Sequence, residues 1–407
     1  VTENLGLQYL WIDALCIVQD DEEDRAREIE LMGHVYENAE VTIVASRAKK
    51  VQDGFLQSLL PYGYNRPDWV FKMRYRDLTG QFSPVVIAPK FFRTPEDYLA
   101  KRAWAFQERL FSYRILEYSS TCIHWSCQSN YDCDRQGGKC SARKLEEGIE
   151  IFRGLPDRNA AVTMKTWHKL VDTYSQKLLT IHKDRLPAIA GIAERYGLLS
   201  EVQYLAGIWR SSLPSGLLWI VDGAAVRYKF QPRSLTFIAP SWSWASTLQP
   251  IINDAYVGYG ISKADLIRVD IGHQAKETTY GAVRFGHLRL RGFITPVHWQ
   301  LPDETEPHPG HGLITRGTSK FSIAIYRDAA ETSLVPEGTG TIRAYLLVLV
   351  TNDDVTKVTG LILYKHNDQH YSRLGVFDIP YCSADQEKYP RLARSFLQGD
   401  PEEVTIE

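Results

Sequence analysis

The sequence predicts an α/β N-terminal part, then a helical segment, then a mostly β C-terminal region. Three observations carry that reading. Residues 9–46 read strand, helix, strand. Residues 160–195 repeat apolar side chains at helical spacing. From about residue 227, short β-branched and aromatic runs recur between turn residues. The implied division is 1–130, a linker or loop over 131–159, a helical segment over 160–226, and a β-rich region over 227–407.

The first stretch is the densest. Tyr9-Leu10-Trp11-Ile12 and Leu15-Cys16-Ile17-Val18 are apolar with Asp13 between them, the pattern of a strand buried on both faces. Asp20, Asp21, Glu22 and Glu23 follow. They supply a capping side chain and first-turn negative charge, so a helix should start there. At ~100° per residue, Leu31, Met32, Val35, Tyr36 and Ala39 share one face, and Glu30, His34 and Glu37 the other. Glu28 falls inside the apolar stripe. A carboxylate turned inward must be paired, hydrogen-bonded or functional. Either Arg25 pairs with it, or it lies at the wet end of the stripe, or it is a site carboxylate. Val41–Val44 is the second strand, which completes a βαβ crossover.

Further on, Asp53-Gly54 marks a turn, residues 61–67 a loop, and Thr79-Gly80 the turn between strands at 69–78 and 82–89. Residues 102–110 suit a short helix in which Arg102, Glu108 and Arg109 lie near Trp104. The charges form either a helix-end salt bridge over a core Trp104 or a polar network supporting a cleft near Glu28. A hairpin over 114–118 and 121–126 follows. Cys122, Cys127, Cys133 and Cys140 cluster with His124, but their spacings are too irregular for a structural zinc site, so no metal is expected. They read as two core cysteines on strands and two in a loop that contains Gly137-Gly138.

Val162, Trp167, Leu170, Val171 and Tyr174 recur at helix spacing, continued by Leu178, Leu179 and Ile181. A second helix restarts at Asp184, with Pro187 in its first turn. In Pro240–Ser246, two tryptophans two residues apart would share one strand face, as core packing or as an aromatic platform for a sugar. Strands are expected at 282–294, 321–326, 344–350, 360–364 and 374–379, a loop at 305–312, and a frayed polar end over 399–407.

A net charge of -2 excludes nucleic-acid or membrane-surface binding driven by bulk charge. No apolar run approaches the roughly 20 residues that a membrane span requires. Six cysteines in a chain of 407 residues suggest a reducing, cytoplasmic compartment rather than a disulfide scaffold.

Several of these residues together resemble a known family. YLWIDALCIVQDD, followed by Glu28, Met32 and Val35-Tyr36-x-x-Ala39, is similar to the fungal heterokaryon-incompatibility (HET) domain. Arg102–Leu110 with Arg114-Ile115-Leu116 resembles a later segment of that domain. Asp184–Ala193 and Pro240–Ser246 resemble stretches found beyond it. The resemblance implies a fold similar to Toll/interleukin-1 receptor (TIR) domains and a role in nonself recognition and programmed cell death, with protein partners or self-association. Through the TIR kinship it also implies NAD as a substrate, cleaved at Glu28. Asp13 would orient a ribose hydroxyl or cap a turn, and Trp11, Arg102, Trp104 and Glu108 would line the ligand site. No other cofactor is expected. The family's opening strand and loop have no counterpart before Tyr9, so the resemblance implies an N-terminally truncated HET region. A non-catalytic interaction module and a decayed family member are the competing readings.

Overall fold

The structure is a computed structural model that describes residues 1–57, 71–87, 97–120, 122–127, 131–133, 164–200, 202–226, 230–253, 260–274, 279–301, 312–330, 334, 340–367, 370–379 and 388–407. The expected loop at 61–67, Gly137-Gly138 and Cys140 lie outside these residues. The chain divides into two units, Val1–Pro156 and Asp157–Glu407, and it has mixed α and β content.

In the first unit the expected interior strand is absent. Ile12 is extended and leads directly into a single helical turn, α1 (Asp13–Cys16). Tyr9 is 89% exposed and Leu15 79%. Leu10, Ile12 and Val18 are also open to solvent, and only Ile17 is buried. An apolar run becomes a strand only where a neighbour takes its backbone hydrogen bonds, and among the described residues none pairs with 9–12. The backbone instead closes on itself. The Ile12 carbonyl accepts from Cys16 N at 2.9 Å, and Asp13 Oδ1 accepts from Ala14 N at 2.7 Å.

The helix after it forms where the pattern requires, although of the expected apolar face Leu31 is 43% exposed. Asp21 caps α2 (Glu22–Asn38) by accepting from Asp24 N at 3.1 Å. Met32 turns inward. Gly33 has a packing reason inside this helix, since a Cβ there would lie 3.4 Å from the Phe111 ring. The chain then enters β1 (Thr42–Val44). The hairpin β2 (Phe71–Arg76) and β3 (Phe82–Ile87) turns at Asp77, whose Oδ1 accepts from Thr79 N and Gln81 N, both at 2.9 Å.

Helix α3 (Ala103–Phe111) packs on α2 and delivers the chain to β4 (Ile115–Tyr118), which runs parallel to β1 with Thr42 opposite Ile115. The parallel crossover therefore runs from β1 through α3 to β4, not from residues 9–18 to β1. Antiparallel β5 (Ile123–Ser126) and β6 (Tyr131–Cys133) complete a sheet of order β1-β4-β5-β6. Cys133 thus belongs to a strand, not to the expected loop.

One buried charged group ties this sheet to α3. Glu117 on β4 takes an ion pair from Arg109 Nη1 at 2.9 Å and a hydrogen bond from Nη2 at 3.1 Å, and it accepts from the Ser46 hydroxyl. Burial alone would raise its pKa, but Arg109, Ser46 and nearby His124 outweigh burial and hold the carboxyl below its ordinary 4.5. A depressed carboxyl stabilises the fold above its unfolded-state pKa, and that contribution is lost as pH falls through the folded-state value. Glu117→Gln should cost about 1–3 kcal/mol at neutral pH. The gap to wild type should close below pH 4.5, as read by urea unfolding across pH. An undiminished gap at acid pH would mean that the pair is not the cause.

The second unit opens on α4 (Met164–Ser175), where Trp167, Leu170, Val171 and Tyr174 are buried as their spacing predicts. The helix ends there, and Leu178 and Ile181 are exposed in the turn that follows instead of extending it. A 3₁₀ turn at Pro187–Ile189 leads into α5 (Ala190–Ser200). The two-residue strands β7 (Tyr204–Leu205) and β8 (Ile208–Trp209) turn through Gly207 at φ 100°. Its carbonyl accepts from both Trp167 Nε1 (3.1 Å) and Trp244 Nε1 (2.8 Å), and a Cβ there would meet the Trp244 indole at 2.5 Å. Glycine is required by both conformation and space.

After β9 (Ile220–Val221) and α6 (Gly223–Val226), Pro240–Ser246 is a turn and not the expected strand. Ser243 Oγ accepts from Ala245 N at 3.1 Å and caps a 3₁₀ turn over Trp244–Ser246. Trp242 and Trp244 are fully buried, so neither can serve as a sugar platform.

Short strand β10 (Ile251–Ile252) pairs with β9, and the main sheet contains β11 (Ile261–Ser262), β12 (Ala264–His273), β13 (Val283–Gly292), β14 (Ile294–Gln300), β15 (Gly312–Arg316), β16 (Ser319–Arg327), β17 (Thr341–Thr351), β18 (Val358–Lys365) and β19 (His370–Ile379). Following the antiparallel pairs from β14 through β15, β16, β19, β18 and β17 leads back to β14, so six strands close a ring. Trp299, Ile314, Ile325, Leu346, Ile362 and Phe377 belong to one buried core, joined by Leu392, Ala393 and Phe396 from α7 (Lys388–Ser395) and the residues after it. The expected frayed end is a strand instead. In β20 (Glu402–Ile406), Val404 and Ile406 are buried, and the strand lies between β19 and β13. Two alternating apolar side chains suffice for it once both neighbours are present.

Candidate functional site

Two helices of the first unit bring together most of the residues that the sequence marks. Tyr36 lies on the last turns of α2, Arg102 precedes α3, and Glu108 lies on its second turn. Tyr36 and Glu108 share a side-chain hydrogen bond, with Asp13 and Arg102 close enough to act on both. Trp11 packs edge-on against Tyr36, with ring centroids 5.7 Å apart at 76°.

The electrostatics follow from this grouping. Desolvation raises the Glu108 pKa most, with the Asp13 carboxylate adding to it, while Arg102 and the Tyr36 hydroxyl pull it back. The net shift is upward, so Glu108 holds its proton more tightly than an ordinary glutamate. Burial, with Glu108 and Asp13 adding to it, drives the Tyr36 phenol far above its usual range, and it stays a neutral donor. Trp11 offers a half-buried indole, and Arg102 and Asp13 are exposed. A desolvated acid beside a cation, a second carboxylate and an aromatic face is a grouping that catalytic and ligand sites use.

Glu28 stands apart from this cluster. Its position in the stripe is as the spacing implies, because Glu28, Met32 and Tyr36 recur every fourth residue along α2. At 1.5 Å per residue it lies roughly 12 Å along the axis from Tyr36. Its side chain is 21% exposed, with Arg27 Nε at 3.7 Å from Oε1. The side chain of Arg25, the partner expected for it, lies outside the described residues. Trp104 is half-buried on the first turn of α3. Tyr36 was missed because its place in the apolar stripe reads as core. Its hydroxyl, at the end of a ring packed among charged residues, was the available signal.

No helix among the described residues is long and apolar enough to cross a membrane, and none of their His, Cys, Asp and Glu side chains form a group of three or more able to hold a metal. No curated protein and no solved structure matches the chain. A family model described as "Heterokaryon incompatibility protein (HET)" matches residues 1–108, a span that includes Trp11, Asp13, Tyr36, Arg102 and Glu108. The chain therefore carries a HET domain in its N-terminal part.

Proposed function

We propose that the protein acts in heterokaryon-incompatibility-type nonself recognition leading to programmed cell death, and that its HET domain cleaves the glycosidic bond of NAD at the cluster around Glu108. The observation that carries this reading is the desolvated Glu108–Tyr36 pair beside Arg102, Asp13 and Trp11. Each member suits one part of the substrate. The exposed guanidinium of Arg102 matches a pyrophosphate, and the Trp11 indole an aromatic ring. Asp13 accepts from a ribose hydroxyl. Glu108, ionised on losing its proton to water, faces the positive charge that develops at the anomeric carbon as nicotinamide leaves, and a water molecule then adds to that carbon and releases a proton, giving ADP-ribose. Glu28, outside this cluster, is the alternative carboxylate for the role through its resemblance to the TIR glutamate, and a TIR-like arrangement of the domain belongs to the same proposal.

The test is nicotinamide release from NAD by the full chain, by Glu108→Gln and by Glu28→Gln. Glu108→Gln should lose about 10²–10⁴-fold, and Glu28→Gln less than about 5-fold. Release lost only in Glu28→Gln would return the role to that residue, and no release by the parent chain would remove the enzymatic reading. Because a raised carboxyl favours the fold at low pH and opposes it once ionised, Glu108→Gln should also be more stable than the parent at neutral pH, by on the order of 1 kcal/mol.

A non-catalytic interaction module is favoured by a different observation. Tyr9, Leu10, Leu15 and Val18 expose apolar side chains within one short stretch, a feature of surfaces that meet a protein partner or a second copy. Under that reading, Leu15→Asp abolishes the cell-death response while Glu108→Gln leaves it intact.

A further inference from the structure

The Pro240–Ser246 turn, unused by the proposed function, forms one wall of a cavity of about 430 Å³ in the second unit. That volume is within the roughly 300–1,000 Å³ typical of small-molecule sites. The turn is held rigidly. Trp242 Nε1 donates to the Gly286 carbonyl at 3.1 Å, and a Cβ on Gly286 would meet Pro240 at 2.4 Å, so only glycine lets β13 lie this close. The flanking residues of β13, Phe285 and His287, also line the cavity. Their rings lie 5.4 Å apart at 31°, and Phe285 is 44% exposed. An aromatic side chain of this size left open on a cavity wall is a surface for another ring.

The polar side of the cavity carries two guanidinium groups and one carboxylate. Arg284 anchors itself through Nε to the His273 carbonyl at 3.0 Å, and no described residue engages its terminal Nη donors. Arg233 donates to the Arg373 carbonyl at 2.5 Å, and its Nη2 lies 3.7 Å from Asp328 Oδ2, a carboxylate that Arg373 already binds. Two guanidinium groups therefore approach that one carboxylate. The cavity's own carboxylate, Glu407, lies 3.2 Å from His370 Nδ1 and 3.8 Å from His287 Nε2. The hydroxyls of Ser241 and Ser246 complete the wall.

We propose that this cavity binds a small molecule in which an aromatic ring is joined to an anionic group, the ring against Phe285 and His287 and the anion on Arg284. Nucleoside phosphates and aromatic carboxylates share this chemistry, and the test separates them. Isothermal titration of the full chain with AMP, phenylpyruvate and inorganic phosphate should give saturable binding of AMP or phenylpyruvate at least about 10-fold tighter than phosphate, because the ring adds to the anion. AMP alone identifies a nucleoside phosphate, phenylpyruvate alone an aromatic carboxylate, and either outcome supports the assignment. Arg284→Ala and Phe285→Ala change exposed side chains, so they should leave the fold intact, and each should weaken binding about 10-fold. Absence of binding by both aromatic probes overturns the proposal. So does binding that survives both substitutions, or that is lost in Arg102→Ala and kept in Arg284→Ala, which would place the ligand at the HET-domain cluster instead.

Discussion

Arg373→Met should lower the stability of the second unit by about 3–5 kcal/mol, one of the two largest effects expected from any single change in this chain. Arg373 and Asp328 are both fully buried. The guanidinium donates from Nε to Oδ2 at 2.8 Å and from Nη2 to Oδ1 at 3.0 Å. Its remaining hydrogen bonds go to the carbonyls of Leu217 and of Trp219, the latter at 2.6 Å, and its plane lies 3.4 Å from the centre of the Trp219 ring. Burial disfavours its charge and Asp328 restores it. Methionine fills the space but leaves a buried carboxylate with only Arg233, 3.7 Å away, and two carbonyls without donors. Arg373→Lys keeps the charge, loses the fork and the stacking, and should fall between. Urea unfolding followed by tryptophan fluorescence reads this unit well, because six of the ten tryptophans lie beyond residue 157. A loss under about 1 kcal/mol would show that the pair contributes little.

The second large effect is Trp209→Ala, expected to cost about 3–5 kcal/mol. This indole is fully buried, with ring centroids at 5.4 Å from Trp167, 4.7 Å from Tyr196 and 5.0 Å from Tyr204. Removing it opens a cavity at the meeting point of α4, α5 and the β7–β8 hairpin, and rings on three elements lose a common neighbour. Trp209→Phe should recover more than half of the loss. Trp209 Nε1 has no hydrogen-bond partner among the described residues, so equal destabilisation by both substitutions would rule out the loss of ring contacts as the main cause.

The parts of this fold that were legible in the sequence are those fixed by local chemistry. Asp21 and the stripe through Met32 specify α2 without outside help, and Thr79-Gly80 specifies the β2–β3 turn. The errors arise where the partner decides. Tyr9–Val18 is apolar enough for an interior strand, but periodicity carries no information on which edge will receive it. In Pro240–Ser246 a two-residue spacing of tryptophans fits both a strand face and a 3₁₀ turn, and Ser243 selects the turn through a bond the sequence does not display. β20 looked too polar to be ordered because its order comes from β19 and β13. The same division holds at the site. Arg102, Glu108 and Asp13 were recognisable as charges beside apolar side chains, whereas Trp11 read as part of an interior strand and Tyr36 depended on α3 crossing α2. Glu28 was singled out by its place in the apolar stripe and by the family resemblance, whereas the carboxylate grouped with Tyr36 is Glu108.

The position of β20 has a consequence for how the chain matures. Because this strand fits between β19 and β13, the large sheet cannot be completed during ribosomal synthesis until residue 406 has left the exit tunnel. Until then both flanking strands present bare backbone edges to the cell, where pairing with another chain competes with folding. Nascent chains stalled before Glu402 should therefore depend on chaperones far more than the released full chain.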